Sequence, residues 1–127
     1  MENEGARGMV AVVEDDESAR NALGRLLQVG GFEPALFDSA ETFIASHDDG
    51  WLCVVVDVQL TGMSGIDLQR RLRSAGSQVP IIVITANRAD VVRERALQAG
   101  CAAFLSKPFN GNTILSILDS IAAQSHP

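Results

Sequence analysis

The chain is poor in cysteine: two among 127 residues cannot make a disulfide framework or a metal-ligand cluster. Cys53, inside an apolar run, and Cys101, just after a glycine, are expected to be buried, reduced thiols. Positive charge is also scarce. Ten Lys and Arg face sixteen Asp and Glu, a formal net charge of −6, which excludes the clustered basic surface that a phosphate backbone requires. The one basic cluster, Arg70, Arg71 and Arg73, reads as a solvated helix face. No apolar run approaches the roughly 20 residues of a membrane helix. The opening MENEGARG lacks the basic-then-apolar layout of a signal peptide. These absences point to a cytoplasmic protein that binds neither membrane nor, by this chain alone, nucleic acid. With 46% hydrophobic and 20% charged residues, 127 residues suffice for one compact domain and leave no room for a second.

What the sequence does have is an alternation of apolar runs of strand length with helical periodicity. Residues 9–13 (MVAVV) read as a strand, and Ala19, Ala22, Leu23, Leu26 and Leu27 follow at helical spacing until Gly30-Gly31. Residues 32–37 (FEPALF) carry Pro34 and so suit an edge strand. Ser39 can cap a helix that buries Ala40, Phe43 and Ile44. A third strand covers 52–56 and ends at Asp57, and Ser64 with Asp67 has capping-box spacing for a helix turning Leu68 and Leu72 inward before Gly76. A fourth strand is expected over 79–84, a helix with a weak apolar face over 87–99, and a fifth strand over 102–105. The last helix carries the stripe Ile114, Ile117, Leu118 and Ile121. Unbroken apolar strands imply a sheet covered on both faces, hence an α/β fold with a parallel sheet. Five such units most naturally take the doubly wound order 2-1-3-4-5, flanked by five helices, with the site beyond the carboxyl ends of strands one and three.

The residues that leave the strands converge on that rim. Glu14-Asp15-Asp16 follow the first strand, Asp57 the third, Thr85 the fourth, and Ser106-Lys107 the fifth, whereas Asp38 after the second lies at the edge. Carboxylates packed together raise one another's pKa unless a cation lies between them. Oxygen donors without nearby His or Cys favour Mg²⁺ over zinc or copper. With a lysine and a hydroxyl added, the set suits phosphoryl transfer, in which positioning and charge neutralisation supply most of the catalysis. Asp57 is then the nucleophile candidate, forming an aspartyl phosphate.

The motifs VVEDDE, VVVDVQLTGMSG, VITA and FLSKPF, in that order, resemble the receiver domain of bacterial two-component response regulators from about residue 8 to 122. The phrases DESARNALGRLL and DVQLTGMSG look like receivers joined to LuxR-like DNA-binding domains in nitrogen-fixation-type regulators. The resemblance implies a flexible stretch 1–7, a receiver over 8–123 and a flexible 124–127. It implies Asp57 as phosphoacceptor, Asp15 as direct ligand of Mg²⁺ (Mn²⁺ as alternative), Glu14 acting through water, and the Gln59 main-chain carbonyl as a further ligand. Thr85 would hydrogen-bond the phosphoryl group, Ala86 would leave it room, and Lys107 would pair with its oxygens through a cis Lys107-Pro108 bond. On phosphorylation Thr85 would move toward the site and Phe104 would turn inward. That would change the face of the fourth helix, fifth strand and fifth helix for a partner or for homodimerisation. The chain has no Tyr, so an inward Phe104 gains apolar burial and no hydroxyl hydrogen bond.

The sequence departs from the family pattern at Thr61, where many receivers carry proline, which leaves the loop after Asp57 freer. Gln59 and Asn87 stand where the family tunes the lifetime of the acyl phosphate. The implied partners are a sensor histidine kinase or phosphotransfer protein, and an output domain or protein. No output domain is present in these 127 residues, which fits either a stand-alone receiver or a domain of a larger regulator or hybrid kinase. The chain would be a signalling domain rather than an enzyme, catalysing only its own phosphorylation and dephosphorylation. Three other readings fit the residues less well. A haloacid-dehalogenase-like phosphatase needs a second Asp two residues after the nucleophile, where Gln59 stands. An FMN carrier would place a phosphate against Glu14-Asp15-Asp16, which would repel it. A pseudo-receiver that only binds proteins has no need of the complete constellation.

Overall fold

The computed structural model describes residues 7–46, 50–87 and 89–124. Strands and helices alternate along the chain: β1 (Met9–Val13), α1 (Glu17–Val29), β2 (Glu33–Phe37), α2 (Ala40–Ala45), β3 (Cys53–Asp57), α3 (Gly65–Ser74), β4 (Ile81–Thr85), α4 (Asp90–Gln98), β5 (Ala103–Ser106) and α5 (Gly111–Gln124). All strand pairs are parallel and the sheet order is β2-β1-β3-β4-β5, as expected.

Successive side chains of a strand point to opposite faces, so an unbroken apolar strand feeds two cores. Val10, Val12, Cys53, Val55, Ile82 and Ile84 face Leu23 and Leu27 of α1 and Ile114, Leu118 and Ala122 of α5. Their neighbours Ala11, Val13, Val54, Val56, Ile81 and Val83 face Ala40 and Phe43 of α2, Ile66 and Leu68 of α3 and Ala96 of α4. Burying one such branched side chain contributes roughly 1.5–3 kcal/mol. The inner strands β1, β3 and β4 therefore form a rigid base for whatever follows their last residues. β2 lies at the edge with Pro34 opposite Val10, consistent with a residue that has no N–H for a second ladder.

Several boundaries differ from the sequence reading, each for a local reason. β4 starts at Ile81, after Pro80, which cannot donate to the ladder, and runs on through Thr85. β3 and β5 likewise shift one residue toward the rim. α4 starts at Asp90 because the Asn87 Oδ1 accepts from the Ala89 N–H at 2.9 Å, holding 87–89 in a turn. In α1 the buried residues are Leu23, Gly24 and Leu27, while Ala19 and Leu26 are half-buried and Ala22 is exposed. Arg73 does not belong to a solvated cluster: its guanidinium donates to the carbonyls of Ser77, Val79 and Gly100, closing the α3 end onto the turn after α4.

Cys53 is buried, and burial pushes its thiol up to about 12, whereas Cys101 is only half-buried. The expected flexible termini lie outside the described residues except at Arg7 and Gln124. Arg7 donates to Asp119 at 2.5 Å and stacks on Phe32, and Gln124 ends α5. No helix among the described residues is long and apolar enough to cross a membrane.

Candidate functional site

The strand ends bring three of the expected side chains into one cleft rim. Asp57, the last residue of β3, is 4% exposed, and Glu14, directly after β1, is 1% exposed. Lys107 follows β5, its own N–H donating to the Thr85 carbonyl at 2.8 Å. From there its Nζ donates to Asp57 Oδ2 at 2.6 Å and to Glu14 Oε1 at 2.8 Å. These are charge-assisted bonds at close range. Burial works against the charge of Lys107, but the bonds to Asp57 and Glu14 outweigh it and hold its pKa above the ordinary value. Glu14 is also raised, first by burial and further by the charge of Asp57, with the Lys107 hydrogen bond pulling the other way. Gly65 lets α3 start hard against this point: a Cβ there would lie 2.3 Å from the Asp57 carbonyl oxygen, so no other residue fits without moving the strand end.

The acidic run after β1 divides its work. Asp16 caps α1, its Oδ2 accepting from the Ala19 N–H at 2.8 Å. Glu14 points into the rim, and Arg20 Nη1 donates to the Glu14 carbonyl at 3.0 Å, fixing the backbone of the acidic pair. Asp15 is exposed and turned toward the β3–α3 loop, its Oδ2 accepting from both the N–H and the hydroxyl of Thr61, each at 3.2 Å.

That loop is tied down rather than freer. Asp57 Oδ1 accepts from the Gln59 N–H at 2.8 Å, Asp15 Oδ2 from Thr61, and Glu41 Oε2 from the Met63 N–H at 3.0 Å. Three carboxylates thus hold alternate amides of the loop, and the expectation of looseness from Thr61 is corrected: the residue adds a hydroxyl donor and an N–H that proline lacks. Glu41 went unnoticed in the sequence because it sits in the first turn of α2, with nothing local linking it to a loop 22 residues on. Gly62, at φ +85°, carries the turn that brings Met63 to it.

Thr85 is fully buried and its hydroxyl accepts from the Asn87 N–H at 3.0 Å, which links the end of β4 to the turn before α4. Asn87 and Gln59 are exposed. Phe104 is half-buried and packs on the core beneath α3 and α4. Ala86, Lys107 and Pro108, after the cis Lys107-Pro108 peptide, line a cleft of about 600 Å³ shared with Glu14 and the Leu23–Leu26 side of α1.

Among the described residues no three His, Cys, Asp or Glu side chains gather as a metal-binding group. The geometry gives the reason: Lys107 Nζ bridges Glu14 and Asp57, and Asp15 is drawn onto Thr61. The carboxylate donors within the rim are nevertheless all oxygen, the chemistry that suits a hard divalent cation.

The family model for the response regulator receiver domain matches residues 10–119. The chain is 33% identical over 122 residues to the transcriptional regulatory protein FixJ of Bradyrhizobium diazoefficiens, covering 95% of this chain and 60% of that protein. It spans about half the length of other curated relatives. The full-length crystal structure of FixJ from B. japonicum superposes with a TM-score of 0.85 at 32% identity, over 96% of this chain and 61% of that one. The receiver domain of a sensor histidine kinase from Pseudomonas aeruginosa PAO1, described with a magnesium ion coordinated in its active-site cleft, superposes at 0.80 with 25% identity, over 91% and 98%. A rim of this composition, on this sheet order and in this sequence context, makes the chain a member of the response regulator receiver domain family of two-component systems.

Proposed function

We propose that Asp57 accepts a phosphoryl group from a phosphohistidine of a sensor histidine kinase or phosphotransfer protein. The observation that carries this reading is the pair of short bonds from one lysine to Asp57 and Glu14 at the end of the buried strand β3. An Asp57 carboxylate oxygen attacks phosphorus, the P–N bond to the imidazole breaks, and the imidazole leaves with the electron pair. Lys107 exchanges its bond to the Asp57 carboxylate for one to the transferred oxygens, and the Thr85 hydroxyl leaves the Asn87 N–H to meet the same group.

Mg²⁺, or Mn²⁺ in its place, would be held by Asp15, Asp57 and the Gln59 main-chain carbonyl, with Glu14 acting through water, and when bound it neutralises charge on the phosphoryl oxygens. Gln59 and Asn87, exposed at the mouth, govern the approach of hydrolytic water and so the lifetime of the acyl phosphate. Movement of Thr85 pulls on the turn before α4, and Phe104 turns further into the core. The face of α4, β5 and α5 thereby changes for an output domain, a protein partner or a second copy of the chain. A reduced, buried Cys53 fits a cytoplasmic setting.

Intact-mass measurement after incubation with a small-molecule phosphodonor and Mg²⁺ tests the reading. We expect a base-labile adduct of one phosphoryl group that requires the cation and is lost in Asp57→Asn. An inert wild-type chain under every donor and metal would instead favour a pseudo-receiver that acts by protein binding alone.

A further inference from the structure

We propose that Thr61 is a latch that competes with the divalent cation for the Asp15 carboxylate, and so sets how readily the phosphoacceptor site loads. This rests on the reading of Asp15 as the direct cation ligand.

A single oxygen, Asp15 Oδ2, takes both donors of Thr61, the N–H and the hydroxyl, at 3.2 Å each across 46 residues of sequence. Two donors converging on one ionised oxygen hold that side chain in one direction. The direction is toward the β3–α3 loop. A cation that takes this oxygen competes with both Thr61 donors.

The neighbouring ties behave differently. The Gln59 N–H donates to Asp57 Oδ1 and the Met63 N–H to Glu41 Oε2, one donor to each oxygen, and Glu41 belongs to α2, outside the rim. Of the three carboxylates that hold this loop, Asp15 alone takes both an N–H and a side-chain hydroxyl from it. Cation binding and the conformation at residue 61 are thereby linked, and the linkage is reciprocal: whatever fixes the loop on Asp15 weakens the cation, and the cation frees the loop.

The residue types available at position 61 give a graded test. Thr61→Val keeps shape and N–H but loses the hydroxyl, Thr61→Pro loses both donors, and Thr61→Ser keeps both. Mn²⁺ is the probe, its free concentration read by electron paramagnetic resonance in titrations of the metal-free chain, with Asp15→Asn alongside. We expect the Kd for Mn²⁺ to fall roughly threefold in Thr61→Val and roughly tenfold in Thr61→Pro, and to stay unchanged in Thr61→Ser, from the net worth of one and of two long, exposed hydrogen bonds. Amide exchange at residue 61 in the wild type should quicken on Mn²⁺ addition while residues 59 and 63 hold.

Unchanged or weaker Mn²⁺ binding in both Thr61→Val and Thr61→Pro, against a wild type that binds, overturns the latch and leaves the cation site standing. Failure of the wild type to take up Mn²⁺, or binding indifferent to Asp15→Asn, overturns the cation reading itself and the latch with it.

Discussion

α1 and α4 border the same rim and are held in very different ways. α1 runs 13 residues from a side-chain cap at Asp16 and buries Leu23, Gly24 and Leu27. α4 runs nine residues, has no side-chain cap at Ala89, and buries Ala96 alone, while Val91 and Leu97 stand 53% and 51% exposed. The acidic pair is thus mounted on the firm side, its backbone pinned by Arg20 of α1. Thr85, proposed to meet the phosphoryl group, is wired to the turn before the loose helix. Segments with few buried apolar contacts open at the lowest free energy. Under the proposed function, a charge change at Asp57 would shift α4 more readily than α1.

The largest expected effect breaks the firm side. Leu27 is fully buried between β1 and α5, and Leu27→Ala should cost about 2–5 kcal/mol of unfolding free energy, the transfer of the lost methyl groups plus the cavity they leave. The same truncation on α4, Leu97→Ala, should stay within about 0.5 kcal/mol. Urea denaturation of the two variants measures the contrast directly. Equal losses would show that α4 is anchored through contacts its burial does not reveal.

A smaller effect comes from the charge that the firm side carries. Burial raises the pKa of Glu14 in the folded chain above its unfolded value, so the folded state holds more protons between the two. Stability then falls as pH rises from the ordinary carboxylate range through the folded pKa. Glu14→Gln removes that loss and keeps an amide oxygen for Lys107. It should melt at a higher temperature than the wild type at pH 7, with the gap closing as the pH is lowered toward the ordinary value of 4.5. A gap that persists below the carboxylate range would assign the effect to packing rather than to ionisation.

Much of this contrast was legible in the chain. The apolar runs 9–13 and 52–56 announced a sheet covered on both faces, and the residues after four strands announced the rim, because the fold makes strand ends neighbours. α4 was expected to have a weak apolar face, and it buries Ala96 alone. What escaped were contacts decided by side-chain direction across long separations. Nothing near Glu41 pointed to Met63, nothing near Arg73 pointed to Gly100, and Thr61 was read for the proline it lacks rather than for the donors it brings. The start of α4 moved three residues for a related reason: helical propensity could not foresee that Thr85 and Asn87 would take the amides of 87 and 89.

The smallest effect would narrow the contrast from the loose side. Gln69 of α3 is fully buried; its Nε2 donates to the Ala96 carbonyl of α4 at 3.2 Å, and its Oε1 has no partner among the described residues. That carbonyl also accepts from the Cys101 N–H at 3.2 Å, so it stays satisfied if the amide is removed. Gln69→Leu therefore deletes an unpaired buried oxygen and one hydrogen bond together, and fills the α3–α4 seam with apolar volume. A gain of about 1 kcal/mol or less should follow, with slower amide exchange along residues 90–98 and none of that slowing in α1. A loss instead would mean that this single amide is what keeps α4 on the sheet, and that the loose helix is restrained by a polar contact strong enough to outweigh its orphaned oxygen.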